Sequence, residues 1–242
     1  MEATASSSSV KIILGSSSVA RRKILAEMGY EFTVTSADID EKCIRKEKPE
    51  ELVMALAEAK ADAIIAKLQA DNNQEKDAEL ILAAADTAEA ILQRLPVHDY
   101  IKDAVPALLI TCDQVVVYEG AIREKPSSEE EARQFMKDYS GGHAATVSSV
   151  LVTNLKTGFR KVEFDRVEIF FHEIPDEVIE KLIEEGLVLR VAGGLIIEHP
   201  LILPYVKEVS STETLSSVQV GTTDSVMGLP KSLTEKLMKE AL

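Results

Sequence analysis

Residues 108–118 read LLITCDQVVVY, an apolar stretch that carries a single charged side chain, Asp113. The stretch predicts a strand that is interrupted at its central CDQ, residues 112–114, and is followed by a turn. Burying an unpaired carboxylate is costly, so Asp113 must either end the strand at a site or be satisfied by partners. Ligands gather at strand ends in open α/β sheets, which makes Asp113 the first candidate for chemistry. The alternative is a structural aspartate that caps a loop.

Upstream of this strand, residues 11–15 (KIILG) predict a buried first strand, and residues 20–28 predict a helix that stops at Gly29. Three serines lie between them. This layout gathers backbone N–H groups and hydroxyls at a helix N-terminus, where guanidinium groups can add bonds to an oligophosphate. A serine-capped helix with a basic, solvated face explains the same residues. The candidates in this segment are Ser16, Ser18, Arg21 and Arg22.

Helix-period and strand-like segments alternate along the rest of the chain, which favours a layered α/β architecture. Helices are predicted over 49–68, 79–95, 127–139, 175–185 and 232–242, and paired strands over 145–154 and 161–171. A polar break at 71–78 separates the first two of these helices. The 242 residues suit one large α/β domain or two small ones.

Charge and cysteine content exclude several classes of protein. The chain has 27 Lys and Arg against 41 Asp and Glu, a formal net charge of −14. Broad binding of nucleic acid or of an anionic membrane is therefore disfavoured, although a few local cations can still hold a small anion. Cys43 and Cys112 form neither a CxxC pair nor a metal-ligand spacing. With no signal-like N-terminus and no apolar run of membrane-spanning length, the sequence predicts a soluble cytoplasmic protein.

Four further residues are weak candidates when each is taken singly. Lys60 on the first long helix and Lys125 in the sequence EKP are each more typical of a surface lysine than of a binding site. Asp40 and Glu41 more often form a turn or a helix cap than a metal site. The order of these residues along the chain gives them more weight than any one has alone.

Eight short segments occur in a specific order. They are ILGSSS with the two arginines (13–22), DIDE (38–41), LAEAKA (56–61), DQVV (113–116), EKP (124–126), SGGH (140–143), AGGLIIE (192–198) and DSVMGLP (224–230). Together they resemble the motifs of the Maf-like family of nucleotide pyrophosphatases. The resemblance covers most of 11–68 and 108–235, and its specificity comes from the ordered set rather than from any single segment.

A second aspartate competes for the central motif. Asp86, in the sequence ADT, reproduces the commoner spelling of that motif in the family. The residues that follow it continue with helical period, whereas a valine-rich strand, a turn and EKP follow Asp113. We therefore place the central motif at Asp113.

The sequence also departs from the family pattern. Val19 stands where the family usually has proline after the serines. Two insertions, at about 79–109 and 205–223, are longer than the family pattern predicts. The predicted organisation is a flexible N-terminal tail, 1–9, followed by one domain, 10–242.

The resemblance implies a single α/β domain with a central mixed, elongated twisted sheet flanked by helices, as in inosine-triphosphatase-like folds. It implies that water attacks the α-phosphorus of a nucleoside triphosphate and releases pyrophosphate, with a divalent cation such as Mg²⁺ or Mn²⁺. Such a site needs positioning and charge neutralisation more than covalent chemistry. The implied roles are Asp113 as general base, Arg21, Arg22, Lys60 and Lys125 as the triphosphate-binding cations, Ser16 and Ser18 as phosphate ligands, and Glu41 as a metal or water ligand.

Two positions bear on the nucleobase. Family members with Asp-Thr and a later Gln resemble pyrophosphatases of dTTP and UTP, and members with Asp-Gln and a later Glu resemble 7-methyl-GTP pyrophosphatases. Gln114 and Glu198 follow the second pattern. N7-methylation makes guanine cationic and acidifies its N1–H, so a carboxylate can both accept from the base and balance its charge. The alternatives are a pyrimidine-nucleotide pyrophosphatase and a nucleotide-binding regulator of cell division without turnover. A homodimer is left open.

Overall fold

A mixed sheet of seven strands forms the centre of the described protein. The computed structural model describes residues 10–82, 106–211 and 223–242, with the backbone alone for 71–82 and 211. The strands are β1 (Lys11–Gly15), β2 (Thr33–Thr35), β3 (Ala107–Tyr118), β4 (Ala121–Arg123), β5 (His143–Asn154), β6 (Arg160–Phe171) and β7 (Val206–Ser211). The helices, numbered along the described residues, are α1 (Val19–Glu27), α2 (Pro49–Leu82), α3 (Glu129–Tyr139), α4 (Asp176–Glu184), α5 (Thr223–Val226) and α6 (Lys231–Ala241).

The strand order is β2-β1-β3-β5-β6-β7, and β4 pairs with β3 beside this path. β1 runs parallel to both β2 and β3, whereas the pairs β3–β5, β5–β6 and β6–β7 are antiparallel. β3, β5 and β6 have twelve residues each, so the sheet is long in the strand direction. The predicted α/β class, with a mixed sheet flanked by helices, is confirmed.

One edge of β3 is open in the middle of the strand. On the side away from β5, β1 pairs with residues 107–110 and β4 pairs with residues 116–118. No described strand pairs with residues 111–115 on that side, and we call this stretch the β3 gap. Because backbone polar groups there need other partners, side chains from elsewhere in the fold can approach the strand at this point.

The predicted interruption of the strand at residues 112–114 is wrong. β3 is continuous, and Asp113 and Gln114 pair with Ser149 and Ser148 of β5. The strand continues because β5 supplies backbone partners through the polar segment. Asp113 is satisfied by a side chain from α2, so its charge does not force the strand to end.

The predicted polar break at 71–78 is also wrong, because α2 continues to Leu82. The segment that follows Ala70 reads DNNQEKDAELIL and contains neither glycine nor proline. Apart from its two asparagines and two aspartates, it consists mostly of good helix formers, so its polar composition does not require a loop.

Helix ends agree with the local sequence. α1 is capped by Ser18, whose hydroxyl accepts from the Arg21 N–H, and the chain turns at Gly29 with φ +82°. α3 is capped by Ser128 and has three glutamates in its first turn, where their negative charges interact favourably with the positive end of the helix dipole.

The two faces of the sheet carry different layers. On one face, Val115 and Val117 of β3 pack with Leu52, Val53 and Leu56 of α2. On the other face, Ile110 and Cys112 pack with α1 and α6, and Val116 joins the cluster of α3 and α4. Because side chains alternate along a strand, Asp113 lies on the α2 face and Gln114 on the opposite one.

Parts of three sequence predictions lie outside the described residues. They are the tail 1–9, most of the insertion at 79–109 with the competing Asp86, and residues 212–222 of the second insertion. Within the second insertion, residues 206–211 form β7, which pairs with β6 at the edge of the sheet. No helix in the described ranges has the length and apolar character needed to cross a membrane.

Candidate active site

Two buried hydroxyls fix α2 on the sheet. Thr111 Oγ1 donates to the carbonyl of Ala57 at 2.8 Å, and Ser149 Oγ donates to the carbonyl of Val53 at 2.7 Å. The helix also approaches β1 closely at Gly15, where an added Cβ would lie 2.6 Å from side-chain atoms of Ile64 and Thr111. These contacts set the position of α2 along the β3 gap.

Lys60 lies on α2 three residues beyond Ala57 and reaches Asp113 in the gap. Its Nζ is 2.5 Å from Asp113 Oδ1 and 2.9 Å from Glu41 Oε1. The Lys60 side chain is 12% exposed and that of Asp113 is 11% exposed. A single ammonium group therefore holds two carboxylates from separate parts of the chain.

The two carboxylates have opposite pKa shifts. Burial raises the pKa of Asp113, and this effect outweighs the positive charges of Lys60 and Arg21, which act to lower it. Burial also acts to raise the pKa of Glu41, but the hydrogen bond from Lys60 and the charges of Lys60, Lys125 and Arg21 lower it overall. Asp113 is thus the stronger base of the two, and Glu41 stays ionised more readily.

Arg21 enters the β3 gap from α1. Its Nη1 donates to the carbonyl of Cys112 at 3.0 Å and to Ser16 Oγ at 3.4 Å, and its Nε donates to the carbonyl of Gly228 at 2.9 Å. Ser16 Oγ also accepts from the N–H of Ser18 at 3.2 Å. Three parts of the chain therefore meet at the Arg21 guanidinium group. They are the serine loop (residues 16–18), the β3 gap and the segment before α6.

Gln114 lies on the other face of β3, against α5. Its Nε2 donates to the carbonyl of Val226 at 2.6 Å, to Ser148 Oγ at 3.0 Å and to the carbonyl of Ser225 at 3.4 Å. Gly228, at φ +90°, closes this corner, because an added Cβ there would lie 3.0 Å from Gln114 Oε1 and 3.2 Å from Arg21 Nε. Arg21 and Gln114 thus hold the 225–228 segment from two sides.

Three sequence candidates lie at the surface. Lys125 is exposed, and its positive charge contributes to lowering the pKa of Glu41. Arg22 is exposed and donates to the carbonyl of Ser17 at 3.3 Å. Glu198 is exposed, and among the described residues no hydrogen bond or ion pair joins it to another candidate.

A cavity of about 600 Å³ is lined in part by the residues that follow Glu198 in the chain, but none of the candidate residues lines it. It is lined by Lys181, Glu184, Glu185, His199, Pro200 and Leu201. His199 Nε2 lies 2.9 Å from Glu185 Oε2 and its Nδ1 accepts from the N–H of Leu201, so this histidine holds the chain just after Glu198.

Comparison with known proteins agrees with the family resemblance seen in the sequence motifs. The family model described as "Maf-like protein" matches residues 11–241. The chain belongs to the Maf-like family. It is 33% identical to a 7-methyl-GTP pyrophosphatase of Dictyostelium discoideum, with 95% of this chain and 96% of the relative covered. It is 28% identical to a 7-methyl-GTP pyrophosphatase of Idiomarina loihiensis, covering 76% and 82%, and 28% identical to a dTTP/UTP pyrophosphatase of Clostridium acetobutylicum, covering 76% and 80%.

The charges of this Maf-like site suit a small polyanion. The charges of Lys60 and Arg21 act on both carboxylates, Asp113 and Glu41, and the charge of Lys125 acts on Glu41. The local balance is therefore positive, although the whole chain carries a formal charge of −14. α1 adds its N-terminal N–H groups directly after the serine loop.

The same two carboxylates offer oxygen donors to a hard cation. The described part of the chain contains no group of three or more His, Cys, Asp or Glu side chains that could hold a metal by themselves. Mg²⁺ in nucleotide enzymes is commonly held by one or two carboxylates together with substrate phosphates. Asp113 and Glu41, brought together at Lys60, fit that donor set.

Sequence reasoning missed the hydroxyls that support the site of this Maf-like protein. Thr111 and Ser149 anchor α2, and Ser148 contacts Gln114 on the opposite face. A signal was present, because Ser148 and Ser149 interrupt an apolar strand as Asp113 does. Buried hydroxyls in such a strand need partners, and here the partners belong to the active-site elements.

Proposed function

We propose that this chain hydrolyses a nucleoside triphosphate to the monophosphate and pyrophosphate, with a 7-methyl-GTP-like nucleotide as its preferred substrate. The observation that carries the proposal is the buried Lys60–Asp113 pair in the β3 gap, at 2.5 Å, with Arg21 and the serine loop beside it. A buried carboxylate with a raised pKa, surrounded by phosphate-binding cations, suits activation of water next to an oligophosphate.

In the proposed reaction, the oxygen of water bonds to the α-phosphorus while the bond from that phosphorus to the bridging oxygen breaks. Asp113 accepts the proton of the water, and pyrophosphate carries away the electron pair of the broken bond. Lys60 keeps the Asp113 carboxylate oriented, and together with Arg21 and Lys125 it neutralises the phosphate charge. Ser16, Ser18 and the N-terminus of α1 hold phosphate oxygens.

A divalent cation completes the proposal. Glu41 would hold Mg²⁺ or Mn²⁺ together with phosphate oxygens, which leaves the Asp113 carboxylate free to act as the base. When bound, the cation would neutralise charge on the phosphates. From the sequence, we further propose a cytosolic location and no nucleic-acid partner.

Gln114 and Glu198 support the choice of 7-methyl-GTP over pyrimidine nucleotides. They reproduce the pattern of the subgroup that acts on 7-methyl-GTP, and a relative with that printed name covers nearly the whole chain. The second candidate is pyrimidine triphosphate hydrolysis, which is favoured by the relatives named dTTP/UTP pyrophosphatases.

The test is release of pyrophosphate from a panel of 7-methyl-GTP, GTP, UTP and dTTP with Mg²⁺ or Mn²⁺. We expect turnover of 7-methyl-GTP with the highest kcat/KM, and loss of turnover in Asp113→Asn. Faster hydrolysis of UTP or dTTP would favour the second candidate. Nucleotide binding without pyrophosphate release would instead support a regulator without turnover.

A further inference from the structure

Gln114 is held with a defined amide orientation. Its Nε2 faces the backbone carbonyls of Ser225 and Val226, and such carbonyls can only accept hydrogen bonds. The atom that faces them must therefore be the NH₂ group. Both of its hydrogens are engaged by these carbonyls and by Ser148 Oγ.

Ser148 completes this arrangement. It is 1% exposed, accepts from Gln114 Nε2 at 3.0 Å and donates to the carbonyl of Ser225 at 3.1 Å. The hydroxyl thus links β5, β3 and α5 in one chain of hydrogen bonds. A buried hydroxyl with both roles satisfied restricts the rotamer of its partner amide.

The remaining polar atom of Gln114 is its Oε1. No donor from the described residues contacts it, and it faces the corner formed by Gly228 and Arg21. Arg21 is also one of the proposed phosphate-binding residues. Gln114 therefore offers an acceptor, and no donor, to a ligand at this corner.

We infer that Ser148 is a positioning residue for substrate selection, which holds Gln114 so that its Oε1 accepts from the exocyclic amine of guanine. The inference rests on the proposed function. Guanine presents N1–H and the 2-amino group side by side, so two acceptors, Gln114 and the proposed Glu198, can both be satisfied. Uracil and thymine present a single N–H between two carbonyl oxygens, and the second acceptor would then face a lone pair.

The test compares GTP with ITP, which lacks only the 2-amino group. Equilibrium binding is measured in the Asp113→Asn background, and kcat/KM is measured in the otherwise unchanged protein. Wild type is expected to prefer GTP by about 10-fold, the effect of one buried hydrogen bond between substrate and site. Ser148→Ala is expected to lower this ratio to about 2- to 3-fold, because the Gln114 amide loses one of its hydrogen-bond partners and its Oε1 is held less firmly. Ser148→Thr, which keeps the hydroxyl, is expected to restore the ratio.

Thr146→Val is the matched control. Thr146 lies two residues earlier on the same face of β5, is 2% exposed, and its Oγ1 has no hydrogen-bond partner among the described residues. Its substitution should leave the GTP/ITP ratio at the wild-type value. Equal losses for GTP and ITP in Ser148→Ala, or a wild-type ratio near one, would overturn the inference. Absence of turnover with a preserved binding ratio would instead refute the proposed function and leave the inference standing.

Discussion

Lys60 Nζ lies 2.5 Å from Asp113 Oδ1, although the two residues are 53 positions apart in the chain. Both side chains are nearly buried, so removing either one would leave the other with a weaker set of opposite charges at a desolvated position. Glu41 shares the same ammonium group at 2.9 Å but is half exposed. The pair thus joins α2 to the β3 gap and sets the ionisation of the proposed base.

The first prediction concerns this base. Asp113→Asn should lower kcat by at least about 100-fold, as is typical for loss of a general base, while nucleotide binding is retained. The measurement is steady-state pyrophosphate release together with binding by calorimetry. Asp86→Asn, at the competing ADT motif, is the control and should be nearly silent. If the two variants exchanged behaviour, the placement of the central motif would be wrong.

The second prediction concerns pH. Asp113 acts as its carboxylate, so kcat/KM should fall as the pH drops through its pKa, which burial raises. Lys60→Met removes the cation and hydrogen bond that lower the pKa of Asp113, and the acid limb should move to higher pH. Glu41→Gln removes a negative charge that raises this pKa, and the limb should move to lower pH.

The readout is the pH profile of kcat/KM for wild type and both variants. Ionisation of the substrate is common to all three proteins, so the displacement between profiles reports on Asp113. Profiles that coincide, or that move in the same direction, would exclude Asp113 as the titrating base.

Much of this arrangement can be predicted from local sequence. The apolar runs that became β1 and β3, the serine turn and the stop at Gly29 each depend on neighbouring residues, and the structure agrees with them. The interruption of β3 was predicted wrongly because Asp113 is satisfied by Lys60, a partner that no local pattern identifies. The length of α2 was underestimated because polar composition was given more weight than helix propensity.

The orientation of Gln114 could not be predicted at all. It depends on the carbonyls of α5, which are more than one hundred residues away in the chain. The same holds for the anchoring of α2 by Thr111 and Ser149, since each hydroxyl needs a helix carbonyl within hydrogen-bond distance. Long-range packing decides such contacts, and a single sequence contains no direct signal for it.

The third prediction concerns the anchoring of α2. Thr111→Val removes the hydrogen bond to Ala57 and should lower the free energy of unfolding by about 1 kcal/mol. The displaced helix should move Lys60 relative to Asp113, and kcat/KM should fall by about 10-fold. Thr153→Val is the control, because this buried hydroxyl has no hydrogen-bond partner among the described residues. Chemical denaturation and kinetics on both variants would test this, and equal effects would contradict it.

The fourth prediction concerns Lys125. This lysine is exposed, and its positive charge contributes to lowering the pKa of Glu41. If it binds a substrate phosphate, Lys125→Ala should lower kcat/KM for triphosphates by about 10-fold through loss of a charged hydrogen bond. Lys23→Ala, an exposed basic residue of α1, should have no comparable effect. Raising the salt concentration should lower kcat/KM of the wild type more than that of Lys125→Ala, because the variant has one fewer charge to screen. Unchanged kinetics in Lys125→Ala would make it an ordinary surface lysine.

The last prediction concerns Glu198 and the methylated base. Glu198 is exposed and has no ion-pair partner in the described parts of the chain, so its carboxylate is available to a ligand. A charge-assisted contact to the cationic base is worth roughly 10- to 100-fold in kcat/KM when it is desolvated. Exposure reduces this effect, so Glu198→Gln should lower the preference for 7-methyl-GTP over GTP by about 10-fold.

Hydrolysis itself should continue in Glu198→Gln, since the proposed phosphate-binding residues lie in segment 16–18, α1, α2 and the loop after β4. Glu185→Gln is the matched control, because it removes a nearby carboxylate that pairs with His199 instead. The measurement is kcat/KM for 7-methyl-GTP, GTP and UTP with all three proteins. An equal loss for every nucleotide in Glu198→Gln would place this carboxylate near the phosphates or the cation, and the assignment to the base would then be wrong.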